Sequence, residues 1–190
     1  FHEERCDLCG DCLVRCPELT LSREQARAEM ERLIKAQEPR YVLTRCSSCF
    51  SCNTYCPQAC NPYDLILSRW NERYNRLGSP PMWKFVFPTQ GSNLWASMHA
   101  LFPENTRQTL EGWMTARPSE VIFLPGSYFH LVPEVLSGTQ LLREQTIMGL
   151  PGHWECGGYL YQGGYLDVVR KIGRMVQEDL NRWGVRKVIT

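Results

Sequence analysis

Cys6-Asp7-Leu8-Cys9-Gly10-Asp11-Cys12-Leu13-Val14-Arg15-Cys16-Pro17 and Cys46-Ser47-Ser48-Cys49-Phe50-Ser51-Cys52-Asn53-Thr54-Tyr55-Cys56-Pro57 share one spacing, C-x2-C-x2-C-x3-C-P. This is the bacterial-type pattern for ligands of cubane iron–sulfur clusters. Each iron of a cubane has one outward-facing coordination position, so three thiolates from a short loop cap three irons and the fourth must arrive from elsewhere. In proteins with two such clusters the last cysteine of each run crosses to the other cluster. The expected ligand sets are therefore Cys6, Cys9, Cys12 and Cys56 for one [4Fe–4S] cluster, and Cys46, Cys49, Cys52 and Cys16 for the second. Disulfides and zinc are the competing uses of so many cysteines. Thiols at equal intervals on one loop would compete for disulfide partners, and nothing marks secretion. Structural zinc draws on paired C-x2-C units rather than on a third cysteine at the same interval.

Eight of the ten cysteines in this 190-residue chain belong to the two runs. The first third is thus expected to be organised by inorganic clusters and the remainder by an apolar core. Lysine and arginine (21) nearly balance aspartate and glutamate (20), which leaves no electrostatic footprint for nucleic acid or an anionic membrane. No apolar run approaches the roughly 20 residues needed to span a bilayer, and no signal peptide is recognisable. A cytoplasmic protein is expected, with any peripheral membrane association made through a partner. The chain starts at Phe1 without an initiator methionine, and we expect it to begin inside a longer natural sequence.

After Cys16-Pro17, Ser22 and Gln25 have capping-box spacing, and Ala26, Met30, Leu33 and Ile34 fall on one face of the helix that follows. Pro39 is expected to stop it. Cys60 reads as a buried free cysteine, because Cys56 already holds the ligand position before proline. Asn61 as N-cap, Pro62 at the first helical position and Gly78 as terminator frame a second helix. Its stripe is Tyr63, Ile66, Leu67, Trp70, Tyr74 and Leu77, read as the face that packs on the cluster loops. Gly78, Pro80 and Pro81 form a breaker-rich linker. The expected architecture is α plus α/β: an all-helical two-cluster ferredoxin module over 1–78, then a small parallel α/β domain over 79–190. In the latter, 84–87, 121–124 and 185–189 read as strands, and 93–102, 133–149 and 164–183 as helices. The last helix carries the stripe Leu166, Val169, Ile172, Val176, Leu180 and Trp183, closed by Gly184. Residues 102–118 read as an irregular insertion with an amphipathic piece at 110–114. Gly157, Gly158, Gly163 and Gly164 read as tight turns, with an anion-binding turn as the rival reading.

The paired motifs, the helix between them, the Asn61-Pro62-Tyr63-Asp64 helix start and the α/β segment together resemble the heterodisulfide reductase C/D-like family. Its relatives include the iron–sulfur subunits of glycolate oxidase and anaerobic glycerol-3-phosphate dehydrogenase. In that family the α/β part carries a Gly-Cys, Cys-Cys-Gly and Cys-x2-Cys motif associated with a further redox site. Here Leu124-Pro125-Gly126-Ser127 places Ser127 at the first cysteine, and Glu155-Cys156-Gly157-Gly158 places Glu155 at one of the adjacent pair. The chain ends at Thr190, about where Cys-x2-Cys would begin. Cys156 remains as a candidate ligand. A shortened chain and a divergent copy are both open readings, and the substitutions favour divergence. His153 has metal-ligand spacing to Cys156 but reads as packing, and His2, His99 and His130 are assigned no chemistry.

The resemblance implies an electron-transfer component of an oxidoreductase complex, whose partners are a flavoprotein and other redox subunits. No G-x-G-x-x-G follows a strand, so no flavin or nicotinamide site is read in this chain. The alternative is a catalytic disulfide-reductase or hydroxy-acid-dehydrogenase iron–sulfur subunit with an intact Cys-Cys-Gly site beyond residue 190.

Overall fold

The computed structural model describes residues 1–88, 91–115, 118–142, 145–149 and 156–190. Helix takes 56% of the chain, and the strands among the described residues form one two-stranded parallel sheet, so the architecture is helical with a small α/β element. Two compact units are present: Phe1–Gly78 with Leu160–Asp167, and Ser79–Tyr159 with Val168–Thr190.

The first unit contains α1 (Asp11–Val14), α2 (Arg23–Ile34), α3 (Val42–Arg45), α4 (Ser51–Tyr55) and α5 (Pro62–Leu77). The capping box at the start of α2 is formed: Gln25 N–H donates to Ser22 Oγ at 3.2 Å, and Ser22 N–H donates to Gln25 Oε1 at 2.9 Å. Two amides that lack intrahelical partners are satisfied reciprocally. Pro39 does not end the helix. The last helical residue is Ile34, and Ala36 turns the chain away in the left-handed conformation at φ 54°.

Asn61 precedes α5 but does not cap it with its side chain. It sits at φ 55° without a side-chain cap bond, a conformation asparagine tolerates better than most residues. The cap comes from α4, where Asn53 Oδ1 accepts the Tyr63 N–H at 2.9 Å. Tyr63, Ile66, Leu67 and Trp70 are buried among Leu13, Leu19, Met30, Leu33 and Val42, while Leu77 at the end of the stripe is 63% exposed. Gly78 closes α5 at φ 79°, its N–H on Tyr74 O at 2.8 Å.

Among the described residues, Glu29 is the one charged side chain buried in this core, at 0% exposure. Its carboxylate accepts the N–H groups of Arg40, Tyr41 and Val42 at 2.8, 2.9 and 3.1 Å, with Arg32 Nη1 at 3.2 Å. The Tyr41 and Val42 amides stand at the cap and first position of α3 and the Arg40 amide leads into it, so one carboxylate from α2 fixes where α3 begins. Because α3 ends at Cys46, it also fixes the entry to the second cysteine run.

The segment 160–167 belongs to this unit although it was expected with the second. Ser48 Oγ and Tyr63 Oη both donate to Gln162 O, at 2.6 and 3.2 Å. Asn71 and Asn75 donate to Asp167 Oδ2 at 3.0 and 2.7 Å, and Tyr165 stacks on Tyr74 at 4.4 Å. Gly164 permits the approach: at φ 78°, a Cβ there would lie 2.5 Å from Trp70 Cβ.

The second unit contains α6 (Pro81–Phe85), α7 (Leu94–Leu101), α8 (Glu104–Met114), β1 (Val121–Phe123) and α9 (Glu134–Ser137). It is completed by part of α10 (Gly158–Gln162), most of α11 (Leu166–Arg182) and β2 (Lys187–Ile189). Three expectations fail here. Residues 84–87 are not a strand, since Pro81 starts a helix that runs to Phe85, consistent with the pre-set φ of proline at a first helical position. Within the stretch 102–118, read as an irregular insertion, Glu104–Met114 is the helix α8, which buries Leu110 and Trp113. Residues 133–149 do not form one helix: α9 ends at Gly138, a 3-10 turn covers Gln140–Leu142, and Ile147 bridges Phe123 in parallel.

β1 pairs in parallel with β2 in the register Val121↔Lys187, Ile122↔Val188 and Phe123↔Ile189. Alternation along β1 separates two packing groups. Ile122 joins Met148 and Trp183, with Val176 and Leu180 of α11. Phe123 lies against the Leu110, Trp113 and Leu136 group. Among the described residues no helix is long and apolar enough to cross a membrane.

Glu29→Ala would leave three amides, that of Val42 fully buried, without their acceptor and is expected to lower stability by about 3 kcal/mol, with Glu29→Gln losing less. The denaturant midpoint at unchanged slope measures it. Gly164→Ala is expected to lose about 2 kcal/mol or more through left-handed strain and overlap with Trp70, seen as a lower thermal midpoint.

Candidate metal centre

Each cysteine run begins where a short helical turn ends. Cys6 follows the 3-10 turn Glu3–Arg5 and Cys46 follows α3, and both are extended, at φ/ψ of −78/111° and −66/126°. In both runs the middle cysteine is flanked by left-handed residues: Leu8 (56°) and Gly10 (80°) around Cys9, Ser48 (61°) and Phe50 (64°) around Cys49. A left-handed non-glycine residue costs about 1–2 kcal/mol, and such strain concentrates at functional sites. Phe50 recovers part of this by packing its ring 4.2 Å from Tyr63. The second left-handed residue launches α1 or α4, which places Cys12 and Cys52 in a buried first turn. The two short helices pack on each other.

This backbone aims amide N–H groups at sulfur. The Asp11 N–H reaches Cys9, and at the equivalent place in the other run the Ser51 N–H reaches Cys49. The Ser48 and Asn53 amides counter part of the rise that burial imposes on Cys46 and Cys52, and the Cys60 N–H donates to Cys56 Sγ at 3.3 Å. Hydrogen bonds to sulfur stabilise thiolate and help to set the potential of a bound cluster.

The thiols meet across the runs. Burial first, then Cys56, Cys52, Cys9 and Cys6, push the Cys12 thiol up. Burial pushes Cys52 up to about 12, followed by Cys46 and Cys49, with Cys16 also contributing. Cys46 is raised by burial, and Cys16 and Cys49 add to it. Cys56 of the second run thus acts on Cys12 of the first, and Cys16 of the first run acts on Cys46 and Cys52 of the second. Such a thiol group favours protons in the free protein and releases them to a strongly bound cation. Among the described residues no three His, Cys, Asp or Glu side chains converge as ligands of one metal ion. Cubane ligands bind separate irons and stand wider apart than the ligands of one ion.

Cys60 is buried at 1% exposure, with its Sγ 3.8 Å from Gln58 O. Its backbone does more than its thiol, capping Cys56 and accepting the His2 N–H at 2.8 Å, which draws the lead-in to Cys6 against the second run. Asp7 also ties the runs together: Oδ1 accepts the Cys9 N–H at 3.0 Å and Oδ2 accepts from Gln58 Nε2 at 3.1 Å. Sequence reading missed Asp7, Glu29, Ser51 and Asn53. The only signal available for Asp7 and Ser51 was their place inside the cysteine runs.

In the second unit, Ser127 opens a 3-10 turn to His130, and its carbonyl accepts Trp95 Nε1 at 3.3 Å. With Val86, Leu94, Trp95, Tyr128, Leu131 and Tyr159 it lines an apolar cavity of about 180 Å3. Cys156 is exposed, and His153 and Glu155 lie outside the described residues. Gly157, at φ 96°, faces Val169 at 3.4 Å, so packing accounts for it, as Trp70 accounts for Gly164.

Cys60→Ala keeps the N–H on Cys56 and removes only a thiol. Iron content after anaerobic reconstitution is expected to equal that of the parent, whereas Cys12→Ala should lower it. Comparison of the chain with family models, with curated proteins and with solved structures finds no match in any of the three.

Proposed function

We propose that this protein is an iron–sulfur electron-transfer subunit that relays single electrons between partner redox subunits. The carrying observation is the pairing of two cysteine loops of the same backbone, with Cys56 of the second acting on Cys12 of the first and Cys16 of the first acting on Cys46 and Cys52 of the second. Cys6, Cys9, Cys12 and Cys56 would hold one [4Fe–4S] cluster, and Cys46, Cys49, Cys52 and Cys16 the second. Such clusters supply reversible one-electron exchange at potentials tuned by hydrogen bonds to sulfur, charge and exposure. The residues divide the remaining work. Buried Leu13, Leu19, Tyr63 and Trp70 keep water from the inner side of the loops. Backbone amides hold the sulfurs, and the more open Cys9 and Cys49 give the loops an outward side.

The resemblance to the heterodisulfide reductase C/D-like family supports placing this relay in a cytoplasmic complex with a flavoprotein and other redox subunits. Ser127, at the first cysteine position of that family's second motif, carries an indole hydrogen bond on its carbonyl and borders an apolar cavity. That favours the relay over a catalytic role for the described part of the second unit.

Protein purified without oxygen is expected to contain about eight irons, from two four-iron clusters. Reduced samples should give the electron paramagnetic resonance of two interacting cubanes. Zinc alone, or half the iron, would defeat the assignment. Cys16→Ser is expected to damage the cluster of the second run and Cys56→Ser that of the first, read from which signal survives. Damage confined to the variant's own run would refute the crossed ligation.

A further inference from the structure

The two loops share a backbone but not the chemistry around their middle cysteine. Asp7 and Asp11 flank Cys9, whereas Ser47 and Ser51 occupy the same places around Cys49. Ser51 Oγ lies 3.3 Å from Cys49 Sγ. When that sulfur binds iron it has no proton to give, so the hydroxyl becomes the donor. Cys49 then receives the Ser51 hydroxyl, and the Ser51 amide and Ser47 side chain also favour its charged form. Cys9 receives the Asp11 amide but has two carboxylates as neighbours. Both oxygens of Asp7 are occupied by neutral donors, the Cys9 N–H and the Gln58 amide, so its negative charge persists beside the loop.

Other charges act on both sides. Arg23 pairs with Asp11 and donates to Cys9 O at 3.0 Å, which offsets part of the acidic field at the first loop. Glu18 works against the second loop, raising Cys46 by less than burial and two neighbouring thiols do. Exposure adds a third difference, because Cys49 is exposed while Cys9 is half-buried. Reduction adds negative charge to a group already negative. Hydrogen-bond donors and solvent at sulfur favour the reduced state, and nearby carboxylates oppose it.

Resting on the two-cluster reading, we infer that the clusters are unequal: the site of Cys46, Cys49, Cys52 and Cys16 has the higher potential, with Ser51 and Asp7 as the positioning residues that set the difference. A single electron taken from an external one-electron reductant reduces the second site by one unit, with no proton or bond change required. The first site fills only afterwards. Direction along the relay is thereby built into the non-cysteine positions of the two motifs.

The full chain, reconstituted anaerobically with ferrous iron and sulfide, is first assayed for metal and sulfide. Fewer than about eight irons defeats the two-cluster reading and this inference with it. With both clusters loaded, a potentiometric titration with dithionite followed by electron paramagnetic resonance is expected to give two separated waves. Ser51→Ala should move the upper wave down by about tenfold in electron partition, about 59 mV for one electron, and leave the lower wave in place. Ser51→Thr, which keeps the hydroxyl, should restore the parent value. Asp7→Asn should raise the lower wave alone. Coincident waves in a fully loaded protein, or a Ser51→Ala shift on the lower wave or on neither, would overturn the inference. Should Ser51→Ala fail to load, Asp7→Asn decides, and a shift of the upper wave or of none refutes it.

Discussion

A cubane takes four thiolates, and a loop of the C-x2-C-x2-C kind can present only three of them to one cluster. Two such loops therefore complete each other only if they are held face to face. On the proposed two-cluster reading, much of the first unit serves that end. α1 and α4 pack together directly behind the loops. Asn53 of α4 caps α5, and Glu29 of α2 anchors the start of α3 with three amide bonds. Asp7 in the first run accepts from Gln58 just after the second, and Cys60 O beyond the second run accepts from His2 ahead of the first. The apolar core of Leu13, Met30, Leu33, Ile66 and Leu67 then holds the helices that carry these ties.

The second unit obeys different physics. It contains no cysteine run, and its order comes from alternation along β1, which sends Ile122 to the α11 side and Phe123 to the α8 side. Its parallel pair with β2 is short, three residues in each strand. Helix burial supplies what the small sheet cannot, with Leu110, Trp113 and Ile172 all deeply covered.

Features with a short-range cause were legible. Ser22 with Gln25, and Gly78 after a helical stripe, act through neighbours three or four residues away, so spacing alone revealed them. Long-range causes were hidden. Asn61 looked like a cap because asparagine usually caps with its own side chain, yet the acceptor came from Asn53 in a different helix. Pro81 looked like part of a linker although proline also starts helices, and the absence of an apolar stripe in so short a segment left nothing to distinguish the two. The return of residues 160–167 to α5 depends on Gln162 O, Asp167 and the missing Cβ of Gly164, none of which leaves a periodic trace.

By itself the sequence determined the cysteine pattern, the two long helices that follow the runs and the amphipathic stripe of α11, because each is a matter of spacing along one segment. Only the tertiary structure decided which thiols stand together, which amides point at sulfur and which side chains flank Cys9 and Cys49 in space. Those depend on left-handed turns at Leu8, Gly10, Ser48 and Phe50 and on the packing of α1 against α4, and a conformation of that kind is stable only when the whole unit around it has folded.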